Sequence, residues 1–141
     1  MTFALDSSAA LKWVLPEAYS DKAIRLRDDF HNGVIDLVAP DILPVESLHA
    51  LTKAERQKRI VYGTAQALWQ SILADCPVLH PHIPLLDRAY EIASSERIGI
   101  YDCIHVALAE RETCELVTAD GKLINNLQAK FRFIRHLSTF P

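Results

Sequence analysis

Four acidic residues stand where a short apolar run gives way to the start of a helix, although they are spread along the whole chain. They are Asp6, Glu46, Asp102 and Asp120. In an open α/β sheet the carboxyl ends of the strands share one rim, so acids at several strand-to-helix junctions can converge in one crevice. Converging carboxylates repel one another, and oxygen-rich clusters of this kind suit Mg²⁺ or Mn²⁺. Because such ions activate water against phosphate esters, the pattern predicts a metal-dependent nuclease.

Two of these acids can also be explained as helix caps. Asp6 is followed by Ser7 and Ser8, and an Asp-Ser-Ser turn is a common way to begin a helix, here with either serine as the cap. Asp120 can cap a helix that begins at Lys122. Each position taken alone therefore leaves a structural and a catalytic interpretation open.

The other two acids fall inside segments with helical patterns. Glu46 follows Asp41, a candidate cap, and the helix macrodipole favours an acid near a helix N-terminus whatever its function. Asp102 shares a helix face with Val106 and Ala109, so it is predicted to point inward. An inward carboxylate without a compensating partner is costly, which favours a functional role for Asp102.

Short strand-like runs alternate with helical patterns along the chain, which is typical of βαβ units and a mostly parallel sheet. Helical spacing of apolar residues is found after Ser20, a candidate N-cap, over residues 65–73, and after Pro84. The predicted strands cover residues 2–5, 36–39, 77–80, 115–118 and 132–137. The acids thus lie where strands end or helices begin.

Length and composition predict one domain over residues 1–141, half of whose residues are hydrophobic. No apolar run approaches the roughly 18 to 20 residues of a membrane span. The N-terminus lacks the pattern of a signal peptide, so a cytoplasmic protein without a membrane partner is expected. The three cysteines form no CxxC pair and are predicted to be buried, reduced thiols.

The net charge of -3 argues against a protein that holds nucleic acid by bulk electrostatics. Any contact with RNA must therefore be local. The one dense basic stretch, which is either a solvated helix end or an RNA-binding edge, comprises Lys53, Arg56, Lys58 and Arg59.

Four segments together resemble the PIN-domain ribonucleases, and most closely the VapC-type toxins of prokaryotic toxin-antitoxin pairs. They are DSSAALKWVLPE, APDILPVESLHAL, YDCIHVALAE and LVTADGKL, in this order. Their order and spacing are more specific than any one of them. The family's four acids carry over onto Asp6, Glu46, Asp102 and Asp120, and its strand-end Ser and Thr onto Ser7 and Thr118.

The resemblance implies a three-layer α/β/α sandwich with a mostly parallel central sheet, and a metal-dependent endoribonuclease that acts as a toxin. It implies Mg²⁺ or Mn²⁺ bound most directly by Asp6 and Asp102, with Asp120 completing the shell and Glu46 orienting water or a second ion. Cleavage would then proceed by metal-activated water.

The resemblance also implies partners: an RNA substrate, a cognate antitoxin, and a homodimer or larger assembly. Trp13, Val14 and Leu15 are candidates for an antitoxin groove or a dimer seam, or alternatively for the core. The sequence does not identify the RNA that is cut.

Two alternatives compete with the nuclease interpretation. The domain could keep its fold and acids but serve as a partner-binding module without turnover. The spacing of Glu46 with His49, and of Asp102 with His105, also matches the ligands of di-metal helical bundles, although that interpretation needs two more mid-helix glutamates. Hydrogen bonding in or near the site is the expected role of His49 and His105.

Overall fold

Five short strands form one wholly parallel sheet in the computed structural model, which describes residues 1–141. Their order in the sheet is β3-β2-β1-β4-β5, so β1 lies at the centre. The predicted strands are confirmed, with ends that differ by up to two residues. The strands are β1 Thr2–Leu5, β2 Asp36–Pro40, β3 Val78–His80, β4 Glu115–Thr118 and β5 Ile134–His136.

Seven helices cover the two faces of the sheet and confirm the predicted α/β/α sandwich. Alternate residues of a strand point to opposite faces. Phe3 and Leu5 accordingly pack with α1 to α4, whereas Ala4 packs with α5 to α7. The helices are α1 Ser7–Leu11, α2 Ser20–His31, α3 Leu43–Arg56, α4 Ala65–Ala74, α5 Leu86–Glu96, α6 Ile100–Glu112 and α7 Gly121–Leu127.

The topology creates one crevice at the carboxyl rim of the sheet. From β1 the chain moves outward through β2 and β3, and then returns to the other side of β1 to form β4 and β5. The connections leave β1 and β4 in opposite directions, and ligands of open α/β sheets bind at such a switch point. The sheet also excludes the alternative of a di-metal helical bundle.

Helix α6 packs against the centre of the sheet and carries an unusually apolar sequence. All seven residues from Cys103 to Ala109 are buried. A helix that is apolar on nearly every side must be covered on every side. Its direction is therefore fixed by the core, and its first turn lies at the carboxyl rim.

Two predicted caps are wrong. Ser20 is the first residue of α2, and its hydroxyl donates to the carbonyl of Leu15 (2.9 Å), while Tyr19 occupies the cap position with a left-handed φ of 67°. Asp41 does not cap α3, which has Ile42 in that position. Its carboxylate instead accepts from the backbone N–H of His82 at 3.1 Å.

Of the two alternatives for Trp13, Val14 and Leu15, a partner surface or the core, the packing favours the core. Trp13 and Leu15 are buried in the core, and the Trp13 indole donates to the carbonyl of Ala23 at 2.9 Å. Val14 packs against the same cluster. These residues therefore stabilise the fold chiefly as part of its core.

The cysteines are free, as predicted, but only Cys103 is fully buried. Burial and the charges of Asp102 and Glu96 raise the pKa of the Cys103 thiol to about 11. Burial also raises the pKa values of Cys76 and Cys114, so none of the three is an activated thiolate. No helix of this fold has the length and hydropathy required to cross a membrane.

Candidate active site

The four acids named from the sequence lie at the carboxyl rim of the sheet. Asp6 follows the last residue of β1, and Asp120 comes two residues after the end of β4. Glu46 and Asp102 lie in the first turns of α3 and α6. The charges of the other three acids all act on Asp102, so the fold brings the four carboxylates into one electrostatic cluster.

Asp6 is buried, and both of its carboxylate oxygens accept hydrogen bonds. Oδ1 accepts from the Ser8 hydroxyl at 2.7 Å and from the backbone N–H of Ala9 at 3.1 Å. Oδ2 accepts from the Thr118 hydroxyl at 2.5 Å. Asp6 itself is therefore the cap of α1, where the sequence had suggested Ser7 or Ser8. Burial raises the pKa of Asp6, although the charge of His105 and these hydrogen bonds oppose the rise.

Ser8 and Thr118 join the ends of β1 and β4 through a small network. The Ser8 hydroxyl lies 3.2 Å from the Thr118 hydroxyl and accepts from the backbone N–H of Ala119 at 2.9 Å. Thr118 also accepts from the backbone N–H of Asp120 at 3.0 Å. Thr118 thus lies where the sequence placed a supporting residue. Ser8, rather than Ser7, contacts the Asp6 carboxylate.

Glu46 forms a close pair with a histidine from the core of α6. The Nε2 atom of His105 lies 2.7 Å from Oε1 of Glu46, and the His105 side chain is almost fully buried. Burial lowers the pKa of His105, but the hydrogen bond and charge of Glu46 outweigh it, so the pKa is raised. The predicted hydrogen-bonding role of His105 is confirmed. Its Nδ1 atom is buried without a partner, which makes Glu46 its sole hydrogen-bond partner.

Asp102 differs from its neighbours because no group of the protein donates a hydrogen bond to its carboxylate. It is half-buried in the first turn of α6, three residues after the cap residue Gly99. Burial, followed by the charges of Asp6, Asp120 and Glu46, raises the pKa of Asp102 to about 6. The charge of His105 is the one influence that opposes this rise. A positively charged group bound next to Asp102 would therefore stabilise its ionised form.

Asp120 is held at the start of the next helix. Its side chain accepts from the backbone N–H of Lys122 at 2.9 Å and caps α7. The predicted capping role is confirmed, with the helix beginning one residue earlier, at Gly121. Only one oxygen is used in this bond, so the other can face the cluster.

The chemistry of the donor set fits a hard divalent cation. Mg²⁺ and Mn²⁺ prefer oxygen ligands, and a cation would offset the mutual repulsion that raises the pKa of Asp102. No three His, Cys, Asp or Glu side chains stand within ligand distance of a common point. The site is thus an acidic cluster with suitable ligands rather than a closed metal cage.

The basic residues proposed to contact RNA do not reach this cluster. Lys53 and Arg56 lie in the last turns of α3, and all four basic residues of the stretch are exposed. At about 1.5 Å of rise per residue, Arg56 is roughly 15 Å along the helix from Glu46. An RNA strand would have to extend well beyond the acidic cluster to meet them.

Known proteins resemble this chain in both sequence and fold. A family model described as PIN domain matches residues 3–127. VapC ribonuclease Mb0985 of Mycobacterium bovis and Ribonuclease VapC9 of Mycobacterium tuberculosis are each 27% identical over 126 residues, covering 89% of this chain and 91% of theirs. The crystal structure of PAE2754 from Pyrobaculum aerophilum has a TM-score of 0.70 at 25% identity, covering 99% of this chain and 94% of that chain. The chain belongs to the PIN-domain family, and the relatives named above are VapC ribonucleases.

Proposed function

We propose that this chain is a divalent-metal-dependent endoribonuclease and the toxin of a toxin-antitoxin pair. The observation that carries the proposal is the convergence of four carboxylates at the switch point of the sheet, where Asp102 lacks any donor of its own. The relatives named as ribonucleases support RNA as the substrate. We assign the activity to one domain that spans residues 1–141.

Asp6, Asp102 and Asp120 are the residues that would hold Mg²⁺ or Mn²⁺. Asp102 is free of hydrogen bonds and offers both oxygens, whereas Asp6 is oriented by Ser8 and Thr118. When bound, the cation would supply the positive charge that polarises a water molecule and offsets charge on the phosphate. The hydrogen bonds to Asp6 hold its carboxylate in one orientation, which lowers the cost of assembling such a site.

Glu46 is the residue best placed to orient the attacking water. Its Oε1 atom is held by His105, so the carboxylate cannot rotate freely, and the second oxygen remains able to accept a hydrogen bond from water. His105 has no other partner and is fixed by the core. It is a positioning residue, because it acts on the reaction only through Glu46.

The antitoxin and the assembly remain proposals that rest on the VapC-type relatives. We propose a cognate antitoxin that covers the acidic cluster and a homodimer or larger assembly of this chain. The basic stretch at the end of α3 would then contact RNA beyond the cluster. With Trp13 and Leu15 in the core, the partner surfaces must lie elsewhere on the protein.

The test is cleavage of total cellular RNA by the purified chain with Mg²⁺ or Mn²⁺, beside an EDTA control. Asp6→Asn and Asp102→Asn should each abolish the fragments. The matched control is Asp36→Asn, the same change at an exposed acid at the amino end of β2, which should cleave normally. Cleavage that survives EDTA or both active-site substitutions would disprove the assignment.

The alternative to a nuclease is a PIN-fold module that binds a partner without turnover. Calorimetric titration with Mg²⁺ and with Mn²⁺ separates the two proposals. A folded chain that binds metal but cleaves no RNA would support the partner-binding module. Metal-dependent fragments would exclude it.

A further inference from the structure

An open cavity of about 560 Å³ lies directly beside the acidic cluster and shares Glu46 with it. Its volume is in the usual range for pockets that bind small organic groups. The cavity is formed by the N-terminal halves of three helices, α1, α3 and α6. It is lined by Ser7, Val45, Glu46, His49 and Tyr101.

The cavity presents apolar surface that the core does not use. The side chain of Tyr101 is 61% exposed and that of Val45 is 71% exposed. Tyr101 takes part in no stacking with another aromatic ring, and its hydroxyl makes no hydrogen bond within the protein. More than half of the surface of a large aromatic residue is thus available next to the reacting groups.

Polar groups stand across from this aromatic surface. Val45 and His49 are four residues apart and share one face of α3. The imidazole of His49 and the hydroxyl of Ser7 are both able to donate and accept hydrogen bonds. A planar aromatic wall with a few polar groups at its edge is the arrangement that recognises an unpaired base.

We propose that this cavity binds an unpaired nucleobase of the RNA strand, stacked on the Tyr101 ring. The inference rests on the proposed function, since the phosphate next to that base would lie at the carboxylates. Tyr101 precedes Asp102 in the chain, so the stacked base and the cluster are held by the same helical turn. A base inside a duplex is already stacked and cannot enter, and the subsite therefore selects single-stranded RNA.

Fluorescence anisotropy tests the subsite with a labelled single-stranded RNA and Mg²⁺, in the Asp102→Asn background so that the RNA stays intact. Base stacking on an aromatic ring contributes about 1–3 kcal/mol. Tyr101→Ala should therefore weaken binding by about 5- to 150-fold, and Tyr101→Phe should bind like the parent. Tyr90→Ala is the matched control, because Tyr90 is similarly exposed (66%) on α5 and should leave binding unchanged.

An abasic nucleotide identifies stacking as the cause. The abasic nucleotide is placed at each position of the RNA in turn. At one position, loss of the base should weaken binding to the protein that keeps Tyr101. The same loss should not weaken binding to the Tyr101→Ala protein any further. Equal losses for both proteins at every position would overturn the inference. So would a duplex that binds as well as the single strand.

Three further outcomes are decisive. If Tyr101→Ala changes the oligomeric state in sedimentation but not RNA affinity, the surface is a protein contact and the inference is wrong. If the wild-type chain cleaves RNA and Tyr101→Ala cleaves it equally well, only the subsite is refuted. If the wild-type chain neither cleaves nor binds RNA, the proposed function fails and the subsite with it.

Discussion

Replacing Asp102 by Asn should make the metal-free protein more stable while it abolishes cleavage. In the folded protein burial and the charges of Asp6, Asp120 and Glu46 raise the pKa of Asp102 from 3.8 to about 6. The folded state therefore binds the Asp102 proton more tightly than the unfolded state does. Ionisation of Asp102 thus costs stability, and the uncharged amide of the Asp102→Asn variant removes that cost.

The size and pH range of the effect follow from the pKa shift. One pKa unit corresponds to about 1.4 kcal/mol, so a shift of about two units sets an upper value near 3 kcal/mol. Because Asp102 is only half-buried, solvent screening reduces this to roughly 1–2 kcal/mol. Below pH 3.8 Asp102 is protonated in both states and the substitution should have no effect. As the pH rises from 3.8 to about 6, the free energy of unfolding of the wild type falls relative to that of Asp102→Asn. Above pH 6 the full difference between the two proteins is present.

Urea denaturation with EDTA, followed by tryptophan fluorescence, measures the difference at pH 4 and at pH 7.5. The Asp36→Asn variant controls for the loss of one negative charge outside the cluster. Adding Mg²⁺ at pH 7.5 should reverse the order, since only the wild type keeps the Asp102 ligand. Equal stability of Asp102→Asn and wild type at pH 7.5, or a difference of the same size at pH 4, would refute the electrostatic reasoning.

Ser8→Ala should destabilise the protein and slow cleavage more than Ser7→Ala, since only the Ser8 hydroxyl contacts Asp6; equal effects of the two substitutions in urea denaturation and cleavage assays would show that this contact is unimportant. Thr118→Val leaves buried Asp6 without one donor and should cost about 1–3 kcal/mol in urea denaturation; a change near zero would contradict the network. Mg²⁺ should raise the melting temperature of the wild type and EDTA should cancel the rise, whereas a cluster indifferent to Mg²⁺ would not hold the ion. Arg56→Glu with Arg59→Glu should weaken RNA binding and leave Mg²⁺ affinity intact, and unaltered RNA binding would remove the basic stretch from the substrate path.

The sequence predicted the sheet well because the strands are short apolar runs bounded by clear helix patterns. Residues 2–5 and 115–118 were placed to the residue. It could not place Trp13, since an indole next to a turn gives the same local pattern whether it lies in the core or on the surface. The hydrogen bond from the Trp13 indole to the carbonyl of Ala23, which is formed only in the folded protein, holds the side chain in the core.

The four acids of the candidate site could be named from the sequence, but the hydrogen bonds between its residues could not. Acids at helix starts mark the rim, yet the sequence could not show that His105 pairs with Glu46, 59 positions away. Whether Ser7 or Ser8 contacts Asp6 depends on which of the two hydroxyls in the first turn of α1 points toward Thr118. A local pattern does not fix that direction. The role proposed for Tyr101 cannot be predicted from sequence, because its exposure depends on how α6 packs against the sheet.

The pairing of β1 with β4 determines when the acidic cluster is completed during folding. One of the hydrogen bonds to the Asp6 carboxylate comes from Thr118, which lies 112 positions later in the chain. Contacts of such long sequence separation form late, after the loop between them has been closed. The first strand emerges early in synthesis, but the Asp6 carboxylate lacks its Thr118 donor until β4 has been made and has paired beside it. The proposed nuclease would therefore be incomplete in a nascent chain until translation is almost finished.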